Sequence, residues 1–492
     1  MEVTVKSVKA ADLKCDAAVF CVFDDKKMSK ILEDFDHHNM ISALLRTKEF
    51  KGDFKDIDHI HLHQNIKKLI LISLGKEADF NANKLREIAV AATRYAKGMK
   101  LTSFHFIYEG YDKITDEEAG QVLAEGFILG EYKFDKYLAK KPDDIELSNV
   151  IINVLQGSQK AVENGAKTAE LVTDHMIFVK DLINEPPSRK GPEVIAERVV
   201  ALCKRNKVKI NVWDKKKIEK EGMEGILGVN AGSMKEPKFL VVEYNNAPGN
   251  PIVLIGKGIV FDSGGLQLKP WNYMLDMKDD MSGAATVVGA INLMAALNMK
   301  VNVVGLAPVT ENLTGGNAYK PGDVLKTYNG KTIEIGHTDA EGRVVLADAL
   351  GYSRNFKPKA IIDMATLTGA IVVALGYEFA GLFSNDDKLR RALLEAGKHT
   401  DEQLWHMPLI PKHTEMIKGK LGDVKNVGST EGAASSSTAA AFLQEFVPEK
   451  TPWAHLDIAA TAFIKEPNGV SGEGATGYGI RLLVEFMKRY CN

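Results

Sequence analysis

Ile252-Val253-Leu254-Ile255-Gly256-Lys257-Gly258-Ile259-Val260-Phe261-Asp262-Ser263-Gly264-Gly265 opens as an unbroken apolar run and closes on a lysine, an aspartate, a serine and glycines. The opening suits a strand buried on both faces, as in sheets covered by helices. The polar residues gather where the strand stops, and in open α/β sheets the crevice beyond the strand carboxyl ends is where ligands bind. Further strands are expected at residues 239–242, 301–307, 360–364 and 454–458, and a nearly wholly apolar helix at 283–297 with Ser282 placed to cap it. Asn329-Gly330 lies between two β-rich runs and predicts a tight hairpin, hence a sheet that is partly antiparallel. The first 140 residues alternate strand-like runs (69–72, 104–107) with a helical pattern at 83–97. From about 147 to 181 the apolar residues recur at helical spacing and stop at Asn184-Glu185-Pro186-Pro187. The expected fold class is α/β in two domains: a smaller N-terminal α/β domain (1–150), a connecting helix (151–185) and a larger C-terminal domain (186–492) with a mixed central sheet covered by helices.

Composition narrows the function classes. Of the 492 residues, 45% are hydrophobic and 26% charged, which suits a globular chain and neither a disordered nor a membrane protein. A formal net charge of -2 gives no whole-molecule argument for nucleic acid or an anionic membrane as partner. The apolar stretch 360–376 contains Asp363 and falls short of the roughly 20 residues that span a bilayer. Glu2 and Lys6 interrupt what would be a signal core, and Cys15, Cys21, Cys203 and Cys491 show no paired spacing, so a reducing cytoplasm is expected. The basic run 204–220 carries Val208, Ile210 and Val212 at strand spacing and is read as a charged sheet edge, with DNA binding as the alternative. His59, His61 and His63 alternate on a strand and are read as solvated.

Asp339 and Glu341 lie two residues apart after a strand and share one side if strand geometry continues. An isolated acidic pair is most often an exposed turn. Close carboxylates that are buried repel, and a divalent cation relieves that repulsion. Neither a phosphate loop nor a dinucleotide loop fits Gly256-Lys257-Gly258. The serine-protease-like string Asp262-Ser263-Gly264-Gly265 sits among α/β elements and is preceded by no Ala-Ala-His-Cys-like segment. A two-cation site accounts for more: Asp262, Asp280, Asp339 and Glu341 balance two dications if Lys257 joins as a neutral amine.

These residues resemble the leucyl aminopeptidase family of two-metal peptidases, also called cytosol aminopeptidases. The resemblance runs through Asn184-Glu185-Pro186-Pro187, Gly256-Lys257-Gly258, Phe261-Asp262-Ser263-Gly264-Gly265, Lys269, Met277-Lys278-Asp279-Asp280-Met281, Thr338-Asp339-Ala340-Glu341-Gly342-Arg343, Ala365-Thr366-Leu367-Thr368-Gly369 and Trp453-Ala454-His455-Leu456-Asp457. It implies a metal-dependent aminopeptidase acting on peptides with a free N-terminus, leucine and other apolar residues preferred. Two divalent ions per subunit are implied, Zn or Mn with Mg or Co as alternatives, held by Lys257, Asp262, Asp280, Asp339 and Glu341. Lys269 and Arg343 become the catalytic pair, Lys269 stabilising the oxyanion and Arg343 holding a bicarbonate general base. Lys269, Met274, His337, Thr366, Leu367 and Gly369 would contact substrate. A cytoplasmic homohexamer with no membrane attachment is implied as well. One residue departs from the family pattern: His337 stands where asparagine is usual, and it either substitutes blandly for that side chain, alters preference on the leaving-group side, or adds a nitrogen donor near the metals.

Overall fold

Every residue of the strand Ile252–Gly256 is buried. It lies inside a nine-stranded sheet whose neighbours run Leu404–His406, Ala380–Ser384, Trp453–Asp457, Ala360–Ala365, Ile252–Gly256, Asn302–Asn312, Lys238–Asn245 and Lys209–Trp213, with Gly258–Asp262 paired separately to Asn302–Asn312. The structure, a computed structural model, describes residues 1–62, 65–139, 145–430 and 432–491. Two units are distinguished: Met1–Asp174 with Glu466–Gly472, and His175–Lys465 with Glu473–Asn492. The nine-stranded sheet belongs to the second.

The middle of this sheet is parallel: Trp453–Asp457, Ala360–Ala365, Ile252–Gly256 and Asn302–Asn312 pair side by side in one direction, and Gly258–Asp262 joins them. Lys238–Asn245 runs against Asn302–Asn312 and Ala380–Ser384 against Trp453–Asp457, so the sheet is mixed, as expected. The Asn329-Gly330 hairpin forms, but between Val324–Lys326 and Thr332–Glu334 in a small separate sheet with Val424–Lys425. The mixed character of the main sheet therefore has a different origin from the one read in the sequence. Lys209–Trp213 is an edge strand, and the basic residues there are partly paired, Lys209 with Glu243 at 2.8 Å and Lys217 with Glu221 at 2.5 Å.

Helix Ser282–Ala296 packs on the parallel strands with Val287, Ala290, Ile291 and Leu293 fully buried. Ser282 is its first residue rather than its cap, and its Oγ donates to the Asp279 carbonyl at 2.5 Å. Gly283 permits the approach: a Cβ there would come within 2.1 Å of the Met364 carbonyl oxygen.

The first unit holds a six-stranded sheet in the order Glu2–Lys6, Asn149–Val154, Ser103–Tyr108, Cys15–Val22, Ile66–Ser73, Ile57–His61, parallel except for the last strand. Helices Ala82–Gly98 and Asp116–Glu131 cover it, each capped by a side chain, Asn81 and Thr115. His59 and His61 lie on the edge strand Ile57–His61, with His59 Nδ1 2.9 Å from the Tyr95 hydroxyl; His63 lies outside the described residues. The helix expected from 151 starts at Gln159, because Asn149–Val154 form a strand. Val150, Ile151, Ile152 and Val154 are buried there, and β-branched side chains in consecutive positions suit a strand covered on both faces.

Candidate metal centre

The parallel strands end in the same place. Lys257 follows Ile252–Gly256, Asp262 ends Gly258–Asp262, Asn312 ends Asn302–Asn312, Thr366 follows Ala360–Ala365 and Asp457 ends Trp453–Asp457. Asp280 arrives from the turn before helix Ser282–Ala296, its carbonyl accepting from the Ile259 amide at 3.2 Å. Asp339 sits in a turn and Glu341 opens the helix Glu341–Tyr352. Strand geometry therefore does not set their common direction; a turn followed by a helix start does. A carboxylate at a helix N-terminus also faces the positive end of the helix dipole.

Two lysines knit these acids together. Lys257 Nζ lies 2.6 Å from Asp280 Oδ1 and 2.8 Å from Glu341 Oε1, and donates to the Thr366 carbonyl at 2.9 Å. Lys269 Nζ lies 2.9 Å from Asp262 Oδ2 and 2.6 Å from Asp339 Oδ1. Gly342 makes room: a Cβ on it would meet Lys257 Cε at 2.4 Å. Thr366 Oγ1 donates to Asp280 Oδ1 at 2.7 Å.

Four carboxylates share two ammonium groups, so the cluster carries uncompensated negative charge. Burial pushes the Asp262 carboxyl up to about 7, with Glu341 adding repulsion, and burial likewise raises Asp280 well above the usual range against the pull of Lys257. Burial opposes charge on Lys257 and Lys269 too, but the surrounding carboxylates outweigh it and hold both above the ordinary lysine range. Among the described residues, Asp262, Asp280 and Glu341 each offer a ligand oxygen within 4.8 Å of the others, all buried. Asp280 Oδ2 and Glu341 Oε2 are buried without a hydrogen-bond partner. Leaving carboxylate oxygens dry and unpaired is costly, and hard divalent cations take oxygen ligands. The donor set thus fits divalent metal.

Several residues that the sequence reading missed hold the ligands in place. Asn312 Nδ2 donates to Asp262 Oδ1 at 2.8 Å and to the Thr338 carbonyl at 3.0 Å, and Tyr319 donates to that same carbonyl at 2.6 Å. Asn426, fully buried, accepts from the Gly336 and His337 amides at 2.7 and 3.2 Å and donates to the His337 and Ala340 carbonyls at 2.7 and 3.3 Å. Its own carbonyl accepts from Arg343 Nη1 at 2.9 Å. Asn312 could have been found as a polar residue at a strand end; Asn426, in a short loop far along the chain, carried no signal. Thr338 staples the two acidic loops, its Oγ1 donating to the Gly264 carbonyl at 2.7 Å.

The remaining expected residues are distributed around this core. Arg343 is buried with Nε unpartnered, and burial pushes it down to about 10, which leaves it charged at neutral pH. His337 Nδ1 accepts from the Asp339 amide at 3.1 Å. Leu367 is half-buried with its amide on Asp457 Oδ1 at 3.0 Å; exposed Gly369 begins the helix Gly369–Leu375, and a Cβ there would meet nothing within 4 Å. Met274 ends the short helix Trp271–Met274, half-buried.

Comparison with known proteins matches residues 177–484 to the catalytic domain of the cytosol aminopeptidase family and residues 19–141 to its N-terminal domain. A probable cytosol aminopeptidase of Geobacter sulfurreducens is 39% identical over 98% of this chain and 99% of its own length. One from Rickettsia bellii is 37% identical over 98% of each. Among solved structures, a tomato leucine aminopeptidase variant superposes with a TM-score of 0.88 at 29% identity, covering 99% of this chain and 96% of that one. The bottromycin maturation enzyme BotP in complex with Mn superposes at 0.85 and 29%, covering 97% and 100%.

Proposed function

This chain belongs to the cytosol aminopeptidase family and is a metal-dependent aminopeptidase, and from that premise we propose that it releases leucine and other apolar residues from peptides with a free N-terminus, using Lys257, Asp262, Asp280, Asp339 and Glu341 as its metal ligands. The observation that supports this ligand set is the convergence of buried carboxylates from separate chain segments, with Asp280 Oδ2 and Glu341 Oε2 unpartnered. Two divalent ions, Zn or Mn, would acidify a shared water and polarise the scissile carbonyl when bound.

The chain's own groups do the rest. Lys269, whose side chain is 15% exposed, reaches the cluster from its open side and is placed to stabilise negative charge growing on the carbonyl oxygen. Asp280 receives the substrate's α-amine, so a blocked N-terminus is rejected. Arg343 presents an unpartnered Nε and a planar fork suited to a planar anion; bicarbonate held there would supply the general base. Thr366 fixes Asp280, while Met274, Leu367 and the open space above Gly369 form the boundary of an apolar side-chain pocket. His337 borders the leaving-group side.

We assign a cytoplasmic location and a homohexamer on family grounds. Leu266, Leu268, Trp271, Tyr273 and Leu275 are 47–80% exposed in the segment that carries Lys269, and apolar side chains gathered in one exposed segment support an association surface there. The deciding assay is hydrolysis of leucyl-p-nitroanilide before chelation, after chelation, and after adding back Mn or Zn. Activity that vanishes and returns is expected, with the N-acetylated substrate inert; cleavage of the blocked substrate, or activity indifferent to chelation, would refute the proposal.

A further inference from the structure

Asp457, the last residue of the strand Trp453–Asp457, is fully buried and is not one of the four carboxylates of the cluster. Its Oδ1 accepts from the Leu367 amide at 3.0 Å and from the Thr368 and Ala459 amides at 3.4 Å each. Its Oδ2 accepts from the Thr368 hydroxyl at 2.7 Å. Thr368 in turn caps the helix Gly369–Leu375, its Oγ1 accepting from the Ile371 amide at 3.3 Å and lying 2.7 Å from Ser436 Oγ. One carboxylate at a strand end thus anchors the segment from Leu367 to the start of that helix.

The same carboxylate acts on Arg343 through its charge. Arg343 Nη1 is committed to the Asn426 carbonyl, and among the described residues no ion pair joins Arg343 to Asp457. Burial disfavours the Arg343 cation, while Glu341 and then Asp457 favour it. Burial also raises the Asp457 carboxyl, and His455 opposes that rise from two residues back on the same strand face, its Nδ1 2.5 Å from Asp363 Oδ1. Anchoring Leu367 and Thr368 needs only hydrogen-bond acceptors, which a neutral side chain can supply. A full charge in a dry site costs far more than a neutral acceptor, and its field reaches a neighbouring cation without contact.

We propose that Asp457 is a positioning residue with two separable effects: its hydrogen bonds set the segment Leu367–Gly369 that borders the substrate side chain, and its charge lowers the affinity of Arg343 for an anion, so that the anion is held without being trapped. The inference rests on the reading of Arg343 as the anion holder and of Leu367 and Gly369 as pocket residues. Asp457 itself touches neither substrate nor metal.

Two variants separate the effects. D457N removes the charge and keeps the bonds: the asparagine oxygen still accepts from the amides, and its N–H meets the Thr368 oxygen, whose own hydrogen turns to Ser436. T368A keeps the charge and removes the bond to the segment. Binding is read without activity, as the rise in melting temperature of Mn-loaded protein, freed of excess metal, when bicarbonate replaces chloride at matched ionic strength. D457N is expected to reach its half-maximal rise at several-fold lower bicarbonate than native, and T368A at the native concentration. The segment is read by hydrogen exchange over residues 366–375, which T368A should speed and D457N should leave native. T368A should also lose several-fold of the preference in kcat/KM for leucyl over alanyl p-nitroanilide, and T368S should restore both readouts. Equal half-maximal bicarbonate in D457N and native overturns the charge effect, and native exchange or native preference in T368A overturns the bonding effect. If neither melting nor rate of the native protein responds to bicarbonate, the anion reading of Arg343 fails and takes the charge effect with it, while exchange and preference in T368A still decide the role of the bonds.

Discussion

Lys257 and Lys269 serve one carboxylate cluster from two different environments. The Lys257 side chain is 3% exposed beside Asp280 and Glu341 at 4% and 2%, whereas Lys269 is 15% exposed and its partner Asp339 is 26% exposed. The sealed corner is built from backbone: Lys257 stands at a strand end, donates to the Thr366 carbonyl and depends on the missing side chain of Gly342. The open corner is built from loops that Thr338 and Asn426 staple together. On the proposed assignment the same residue type serves as a fixed ligand in one corner and as a group that meets substrate in the other, because the Lys257 ammonium is sealed while the Lys269 ammonium is partly exposed.

The contrast breaks most visibly at Lys257. K257M would leave Asp280 and Glu341 without their cationic partner, and removing one member of a buried ionic set costs about 3–5 kcal/mol. We expect measurable loss of stability by urea unfolding of the metal-free protein, one metal fewer per chain by elemental analysis, and no detectable hydrolysis. K269M should lower kcat by about 10²–10³, the scale of losing an electrostatic stabiliser of the transition state, while metal content stays native. Equal metal loss in both variants would erase the distinction between the corners.

Smaller effects sharpen the picture of the open corner. Backbone amides of Leu421 and Lys420 hold the Glu334 carboxyl down to about 2, with Lys425 assisting. Its folded pKa lies below the unfolded value of about 4.3, so its stabilising contribution is complete above that value and is lost as pH falls toward about 2. The urea midpoint of E334Q should fall below native at neutral pH, and the gap should close as the pH drops through the acid range. Least of all should change in H337N. His337 Nδ1 accepts from the Asp339 amide, a bond that an asparagine Oδ1 makes two residues along its own chain. Rates within a few-fold of native are expected on peptides varied at the second residue; a changed leaving-group preference would make His337 a specificity residue instead.

The sheet and the site differed in how far the sequence exposed them. Runs such as 252–255 and 360–364 declared buried strands through apolar continuity, and the polar residues at their ends marked the crevice. The helix boundary at 151 was misread because Val150 to Val154 satisfies an apolar pattern that either element could bury, and length alone arbitrates between the two. The Asn329-Gly330 turn was legible, but not the sheet it joined, since pairing partners of a short strand lie far along the chain.

By itself the sequence determined the α/β class, the family and the acidic and basic residues that gather at strand ends, because residue type and short-range periodicity carry that information. Tertiary structure decided what no local pattern encodes: that Asp339 and Glu341 converge through a turn and a helix start, and that Asn426 clamps their loop from a distant one. The physical reason is that burial and hydrogen-bond partnership are set by groups remote in sequence, and only the packed chain brings them within bonding distance.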